Sequence, residues 1–355
     1  MKIPKLRIGN ITAEIPIVQG GMGVRVSLSS LASAVAEEGG IGTISSIGLG
    51  DIEASKNEYE RMSREALERE IHKAKGMTSG HIAVNFMGVL SNVDDLIKAA
   101  VREGVKIIVY GAGLPAKLPG LVVDTSVKLL PIVSSVRVAE LILRSWDKRF
   151  QRTADALILE GPLAGGHLGF SEEQLQQPEM YCLENLLPDV LQTIKPFEDR
   201  YGRKIPIIAA GGIFDGKDIA RMLSLGASGV QMATRFVCTV ECDVSQEFKQ
   251  SYLDAREEDI IIIKSPVGMP GRAIKNKFLK DLEHQGKLKI RCPYRCLTAC
   301  KVDKANYCIA QALVNSYFGD VDRGLIFCGQ NAHRIDKIVT VKELIAELLA
   351  EIKAA

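Results

Sequence analysis

The chain has 355 residues, of which 46% are hydrophobic and 25% charged, a balance that fits one large α/β domain and a smaller one. The net charge of +2 and the aromatic content of 5% give no basis for binding nucleic acid. No apolar run approaches the roughly 18 residues of a membrane span, and the N-terminus lacks an apolar leader segment. We therefore expect a cytoplasmic protein that binds neither nucleic acid nor membrane.

Short apolar runs alternate with helical patterns along the first two thirds of the chain. Eight runs predict β-strands: Ile15–Gln19, Ile41–Ser45, His81–Asn85, Lys106–Tyr110, Lys128–Ser134, Asp155–Leu159, Pro206–Ala210 and Gly229–Met232. Most are apolar on both faces, as parallel strands are when helices cover both sides of the sheet. Eight such strands predict a (β/α)8 TIM barrel. A doubly wound open sheet is the alternative, because the pattern alone does not show closure.

Helices are predicted between the strands from apolar periodicity and from glycine or proline at the helix ends. They are Leu28–Glu38, Val93–Glu103, Val136–Lys148, Pro188–Lys195 and Ile219–Leu225. Pro188 is expected at the first helical position, where its missing N–H costs nothing. The charged segment Ile52–Met77 predicts an exposed helical insertion after the second strand.

The pattern changes after Arg235. Residues Cys238–Glu283 are mostly polar and predict helices, with one loop at Lys264–Pro270, and Thr340–Ile352 predicts an amphipathic helix that returns to the barrel wall. The predicted division is a barrel over 1–236, a smaller helical domain over 237–325, and a C-terminal segment over 326–355.

Glycines follow six of the eight predicted strands, at the end of a TIM barrel where ligands bind. Glycine there lets the backbone approach a flat or phosphorylated ligand closely. The last two strand ends carry Gly211-Gly212 and Gln231–Thr234, and loops in these positions often form a phosphate site. A turn without any ligand is the alternative for each site taken alone.

One histidine has an unusual setting, in the stretch EGPLAGGHLGF after the sixth strand. His167 lies there in a glycine-rich loop at the mouth of the predicted barrel. The ordinary imidazole pKa of about 6.5 suits a general acid or base near neutral pH. We expect His167 to face a bound ligand, and the other four histidines to be structural or on the surface.

Several motifs together resemble one known family. They are GGMG, AVNFMG, EGPLAGGHLG, IPIIAAGGIFDG, GVQMATRF and SPVGMPGRAIKNKF, followed near the end by GQNAHRIDKIVTVKELIAEL. This set resembles the nitronate monooxygenase (2-nitropropane dioxygenase) family, which includes the FMN-dependent enoyl-acyl-carrier-protein reductase II. The resemblance implies an FMN-binding TIM barrel with a smaller helical domain.

The resemblance also implies roles for individual residues. His167 matches the catalytic histidine of the family's AGGH motif. The implied cofactor-binding residues are Gly21, Met22, Asn85, Glu160, Gly165, Gly211, Gly212, Gln231, Met232 and Thr234, the last five at the phosphate. Leu163 departs from the acidic or polar residue of many relatives, which leaves the polarity near the flavin ring open.

Three functions stay open at this point. The first is oxidation of an alkyl nitronate, with dioxygen reoxidising the flavin. The second is NAD(P)H-dependent reduction of an enoyl thioester, for which Arg272 and Lys275 are candidates to meet a phosphorylated carrier or nucleotide, or are ordinary surface charges. The third is a non-catalytic, redox-sensing flavoprotein. The expected partners are a small molecule or an acyl thioester, and a second copy of the chain in a homodimer.

Four cysteines follow in the pattern C-x3-C-x3-C-x7-C, at Cys292, Cys296, Cys300 and Cys308. In a reducing compartment such a group indicates an iron–sulfur cluster or zinc rather than disulfides. If the segment is helical, the spacing of four brings the first three thiols near one face. Incidental thiols in a helical domain are the alternative.

Overall fold

The computed structural model describes residues 1–298 and 300–355. Eight parallel strands form a closed barrel in which each strand pairs with the next along the chain, and the eighth pairs with the first. The strands are Ile17–Gln19, Ile41–Ser45, His81–Met87, Ile107–Gly111, Lys128–Val133, Leu157–Glu160, Ile207–Ala210 and Gly229–Met232. The prediction of a TIM barrel is confirmed, and the open-sheet alternative is wrong because the edges pair with each other.

Helices cover the outside of the barrel and fill the connections. The α-helices are Ser29–Glu37, Lys56–Met77, Val93–Arg102, Leu118–Leu121, Val136–Phe150, Glu172–Leu175, Leu183–Tyr201, Gly216–Ser224, Thr234–Val237, Gln246–Leu253, Lys277–Gln285, Ile309–Tyr317 and Val341–Ala354. Short 3-10 turns lie at Pro178–Tyr181, Glu257–Asp259 and Gln330–Arg334. In the part of the chain that the structure describes, no helix combines the length and apolarity that a membrane crossing needs.

The helix predicted to begin at Pro188 begins five residues earlier, so that prediction is wrong. Pro188 lies inside Leu183–Tyr201, where it leaves one backbone carbonyl without its helical partner. Four apolar side chains at helical spacing are buried on one face of this helix: Leu183, Leu187, Val190 and Ile194. Burying that stripe outweighs the cost of the proline, because each buried aliphatic side chain contributes about 1.5–3 kcal/mol.

A short hairpin that the sequence did not indicate closes the opposite end of the barrel from the glycine-rich edges. Its strands, Leu6–Ile8 and Ile11–Ala13, turn at Gly9, whose φ of +60° favours glycine. The hairpin's apolar side chains share one buried cluster with residues inside the barrel, including Val18 and Ile158. The barrel interior is therefore packed at this end and open only at the other.

The segment predicted as mostly helical after Arg235 contains a β-hairpin as well, which corrects that prediction. Strands Ile260–Lys264 and Pro270–Ile274 pair antiparallel, and the predicted loop is the turn between them. Four consecutive isoleucines make the first strand, because β-branched side chains favour extended backbone. The second strand then pairs with Gly166–His167 from the barrel.

The C-terminal helix Val341–Ala354 packs against Gly216–Ser224 on the barrel wall, as its amphipathic pattern indicated. Thr340 and Glu343 form a capping box at its start. The Glu351 carboxylate accepts a hydrogen bond of 2.6 Å from the Gly216 N–H, which fixes the helix against the loop after the seventh strand.

Candidate active site

A cavity of about 470 Å³ opens at the C-terminal ends of the barrel strands. All eleven residues predicted for catalysis or cofactor binding line it: Gly21, Met22, Asn85, Glu160, Gly165, His167, Gly211, Gly212, Gln231, Met232 and Thr234. They come from five strand ends that are far apart in the sequence. Barrel closure brings them together, and the cavity is large enough for a cofactor-sized ligand.

Glycines shape two walls of the cavity because no larger residue fits there. A Cβ atom at Gly21 would overlap the Asn85 side chain, and one at Gly165 would lie 2.6 Å from the carbonyl carbon of Cys328. Gly211 and Gly212 have φ angles of +94° and +84°, which L side chains rarely adopt. The backbone is therefore directly exposed to the cavity, as a flat ligand with a phosphate tail requires.

The cavity also holds a polar atom that a ligand would satisfy. The Gln231 Oε1 atom is buried and has no hydrogen-bond partner within the described residues, and such atoms usually have one. Beside Gly212, the Thr234 hydroxyl accepts a bond of 3.1 Å from the Gly329 N–H, and the Asn331 amide donates to the Gly212 carbonyl at 2.7 Å. The residues present fit FMN, because glycine backbone is open to the cavity and the hydrogen-bonding groups of Gln231, Thr234 and Asn331 lie beside it.

His167 is held at the cavity by the hairpin from the second half of the chain. Gly271 lies opposite His167 in the antiparallel pairing, and the Leu168 N–H donates to the Pro270 carbonyl at 2.9 Å. The imidazole meets the Phe327 ring edge to face, with centroids 5.0 Å apart. A glycine-rich loop thus becomes a short strand with a defined side-chain position.

Ser265, in the turn of that hairpin, orients the imidazole. Its hydroxyl lies 2.7 Å from His167 Nε2. Burial lowers the pKa of His167 to about 4, because a charged imidazolium is poorly solvated there. His167 is therefore neutral at physiological pH, and it can donate a hydrogen bond or accept a proton.

Glu160 is a second titratable group in the cavity. Burial raises the pKa of Glu160 to about 7, opposed by the Gly169 backbone N–H and the positive charge of Arg272. The carboxyl group is thus close to half protonated near neutral pH. Perturbed groups of this kind concentrate at functional sites.

Arg272 has a structural position that differs from both sequence interpretations. It is 4% exposed, so it is not a surface charge, and its guanidinium donates to the Pro162 and Ala164 carbonyls. It therefore supports the loop that carries His167. Lys275 pairs with Glu283 at 3.2 Å. Neither side chain is part of the cavity wall.

The four predicted metal-ligating cysteines lie away from this cavity, around a second one. The described residues of this segment form no helix, so the condition under which the first three thiols would share one helix face is not met. Among residues 1–298 and 300–355, no group of three or more His, Cys, Asp or Glu side chains is arranged to hold a metal ion. The thiols are nevertheless neighbours. Burial is the largest cause that raises the pKa of Cys296, and the nearby thiols of Cys308, Cys292 and Cys300 raise it further.

Sequence reasoning missed several residues of the site. Ser265, Phe327 and the segment Gly329–Asn331 contact His167 or line the cavity, although they follow the barrel by many residues. The motifs SPVGMPGRA and GQNAHR contain or adjoin these residues. They contributed to the family resemblance but were given no role, because no local pattern shows which strand end a distant loop reaches.

Comparison with known proteins agrees with the geometry. The family model described as nitronate monooxygenase matches residues 5–351. A "probable nitronate monooxygenase" of Staphylococcus saprophyticus is 27% identical over 309 residues, 79% of this chain and 81% of that protein. The structure of FabK from Thermotoga maritima superposes with a TM-score of 0.74 at 29% identity, over 96% of this chain and 94% of the other.

The name of a third relative indicates that it acts on a coenzyme A thioester. The (3aS,4S,5R,7aS)-5-hydroxy-7a-methyl-1-oxo-octahydro-1H-indene-4-carboxyl-CoA dehydrogenase of Mycobacterium tuberculosis is 30% identical over 273 residues. The match covers 77% of this chain but 66% of that dehydrogenase, just under two thirds of its length. The family model thus gives the family, while the two curated relatives carry the names of different activities.

Proposed function

The chain belongs to the nitronate monooxygenase family, and from that membership we propose that it is an FMN-dependent oxidoreductase whose substrate is an alkyl nitronate. The observation that carries this proposal is the cavity, where His167 faces a glycine-walled space with a polar end. The Staphylococcus relative named a probable nitronate monooxygenase supports the substrate class.

The redox chemistry would be supplied by bound FMN, through which electrons of the substrate would pass to dioxygen. Gly21, Met22 and Asn85 would hold its ring system, and Gly165 would allow the backbone to approach it. Gly211, Gly212 and Thr234 would hold its phosphate, next to Gln231 and Met232. The protein's part is to bind, to orient and to exclude water.

His167 acts on the substrate as a neutral imidazole. Its low pKa leaves a ring nitrogen able to accept a proton or to donate a hydrogen bond to an anionic nitronate. Ser265 fixes the ring from the side of Nε2. Phe327 covers one side of the ring and keeps water from that side.

The cofactor and the substrate are tested separately. FMN added to the flavin-free protein is expected to bind stoichiometrically, and propionate 3-nitronate is then expected to drive oxygen consumption. Gly21→Ala should lose FMN, because the added methyl overlaps Asn85, whereas Gly76→Ala should keep it, since nothing lies within 4 Å of that position. FMN binding with no oxygen consumption would reject the substrate while keeping the flavin site.

Reduction of an enoyl thioester with NAD(P)H is the second candidate. It is favoured by the Mycobacterium relative, whose name is that of a carboxyl-CoA dehydrogenase. The apolar Leu163 in the cavity wall also suits an acyl chain. Oxidation of NADH or NADPH that depends on an added enoyl thioester, with no response to nitronate, would establish it.

A further inference from the structure

The four cysteines surround a cavity of their own, separate from the one that holds His167. Cys292, Cys296, Cys300 and Cys308 all line this space, which has a volume of about 590 Å³. Cys296 is buried, and the other three are half-buried. Four thiols that line one partly open space, from positions up to sixteen residues apart, are more than apolar packing needs.

Charged side chains of both signs surround this cavity. Lys56, Arg295 and Lys301 line it together with one carboxylate, Asp303. Cys308 precedes the first turn of Ile309–Tyr317, where the helix dipole stabilises negative charge. The hydroxyl of buried Tyr294 lies 2.6 Å from the Cys308 sulfur, within reach to donate a hydrogen bond to it.

We propose that Cys292, Cys296, Cys300 and Cys308 bind an iron–sulfur cluster. Four thiolates are the usual ligand set of such clusters. In a structural zinc site, four sulfurs lie about 2.3 Å from the ion and form a compact tetrahedron. The space between these thiols has a volume of about 590 Å³, which is larger than a single zinc ion needs. Histidine, a frequent zinc ligand, does not line the space.

The surrounding backbone permits the thiols to close on a cluster. Between Gln285 and Ile309, the described residues form turns, bends and a single bridge, from Leu297 to Leu90, instead of helices or longer strands. Small backbone rotations there would bring the sulfurs together without unwinding an element. The binding of the metal commonly completes the folding of such a site.

The cluster site is joined to the flavin cavity by two elements. The Ser91 N–H donates to the Cys296 carbonyl at 2.9 Å, in the loop directly after the strand that carries Asn85. Cys308 is the N-cap of helix Ile309–Tyr317, and Leu313 of that helix lines the flavin cavity. At 1.5 Å per residue, Cys308 and Leu313 are roughly 7.5 Å apart along the helix axis. The cluster would therefore be bound beside the flavin.

The test is metal and sulfide analysis of the full chain, purified without oxygen and reconstituted with ferrous iron and sulfide. About four iron and four sulfide per chain are expected for a cubane cluster, with broad visible absorption beyond the flavin bands and an electron paramagnetic resonance signal after reduction. Cys296→Ser and Cys308→Ser should lose them, whereas Cys182→Ser, at a half-buried thiol outside the group, should keep them.

FMN content shows whether each variant is folded, and it separates this site from the flavin proposal. If Cys296→Ser loses FMN as well, the half-buried Cys300 provides the same test through Cys300→Ser. One zinc per chain without sulfide would overturn the cluster in favour of a structural ion. Four free thiols and no bound metal after reconstitution would overturn the site itself.

Discussion

Neither the loop Gly161–Phe170 nor the cysteine segment Arg291–Cys308 has the periodic sequence pattern of a helix or a strand. The two segments are nevertheless held in the structure by different contacts. The first is fixed by a partner strand, by Arg272 and by Ser265. The second is attached by two backbone bonds, to Val89 and Ser91, and by the packing of Tyr294 against Tyr59. A glycine-rich segment can thus be ordered completely by protein contacts, while a thiol-rich one is left with a space that a ligand would complete.

The largest expected effect of a single change is at His167. In His167→Ala, nitronate turnover should fall about 100- to 10,000-fold, the usual contribution of one acid–base group, while FMN stays bound. His72→Ala, at an exposed position on Lys56–Met77, is the matched control and should retain full turnover. Steady-state oxygen consumption measures both, and equal rates for the two variants would remove His167 from the chemistry.

Arg272 tests whether the hairpin holds the loop. Arg272→Leu should lower the free energy of unfolding by about 1–3 kcal/mol, because the Pro162 and Ala164 carbonyls lose their donor in a buried place. Lys275→Leu breaks only a partly exposed ion pair and should cost about 0–1 kcal/mol. Urea unfolding compares the two, and equal losses would mean that the loop does not depend on Arg272.

Ser265 should have a smaller effect, confined to turnover. In Ser265→Ala the imidazole loses its 2.7 Å partner, and kcat should fall by roughly 5- to 10-fold, the equivalent of one hydrogen bond of about 1–1.5 kcal/mol. Ser265→Thr, which keeps the hydroxyl, should recover most of the rate. A fall in FMN affinity instead of kcat would indicate a structural role.

Replacement of Glu160 is expected to change only the pH dependence of the free energy of unfolding. Its pKa is raised from the ordinary 4.5 to about 7, so the folded state keeps a proton that the unfolded chain has released. Stability contributed by Glu160 is therefore present below about pH 4.5 and lost as the pH rises to about 7. The lowered pKa of His167 acts in the opposite sense, with stability lost as the pH falls toward 4.

Comparing Glu160→Gln with the wild type isolates the first of these two effects. Unfolding of the FMN-free proteins by urea, measured from pH 4 to 8, should show the decline with rising pH in the wild type only. The same decline in both proteins would assign it to another group.

Much of the fold could be predicted because its signals are local. All eight barrel strands were located from apolar runs, and residues such as Gly211, Gly212 and His167 could be assigned from strand ends and motifs. What could not be predicted depends on contacts across the chain. Ile260–Lys264 becomes a strand and Ser265 reaches His167 only because the second half folds back over the barrel mouth.

Two of the predictions that were wrong have the same physical origin. Pro188 was placed by its local preference, which is outweighed by the buried stripe that continues on both sides of it. Arg272 was interpreted as a surface or ligand-binding charge, since nothing nearby in the sequence shows that two carbonyls more than a hundred residues away accept its hydrogen bonds. Burial and long-range pairing decided both positions.

The most direct test of the central claim is anaerobic mixing of the FMN-bound protein with propionate 3-nitronate while the flavin absorption is followed. We predict rapid bleaching of the flavin in the wild type, much slower bleaching in His167→Ala, and recovery of the band when oxygen is admitted. A flavin that nitronate leaves oxidised, but that NADH or NADPH bleaches at once, would contradict nitronate oxidation and move the assignment to thioester reduction.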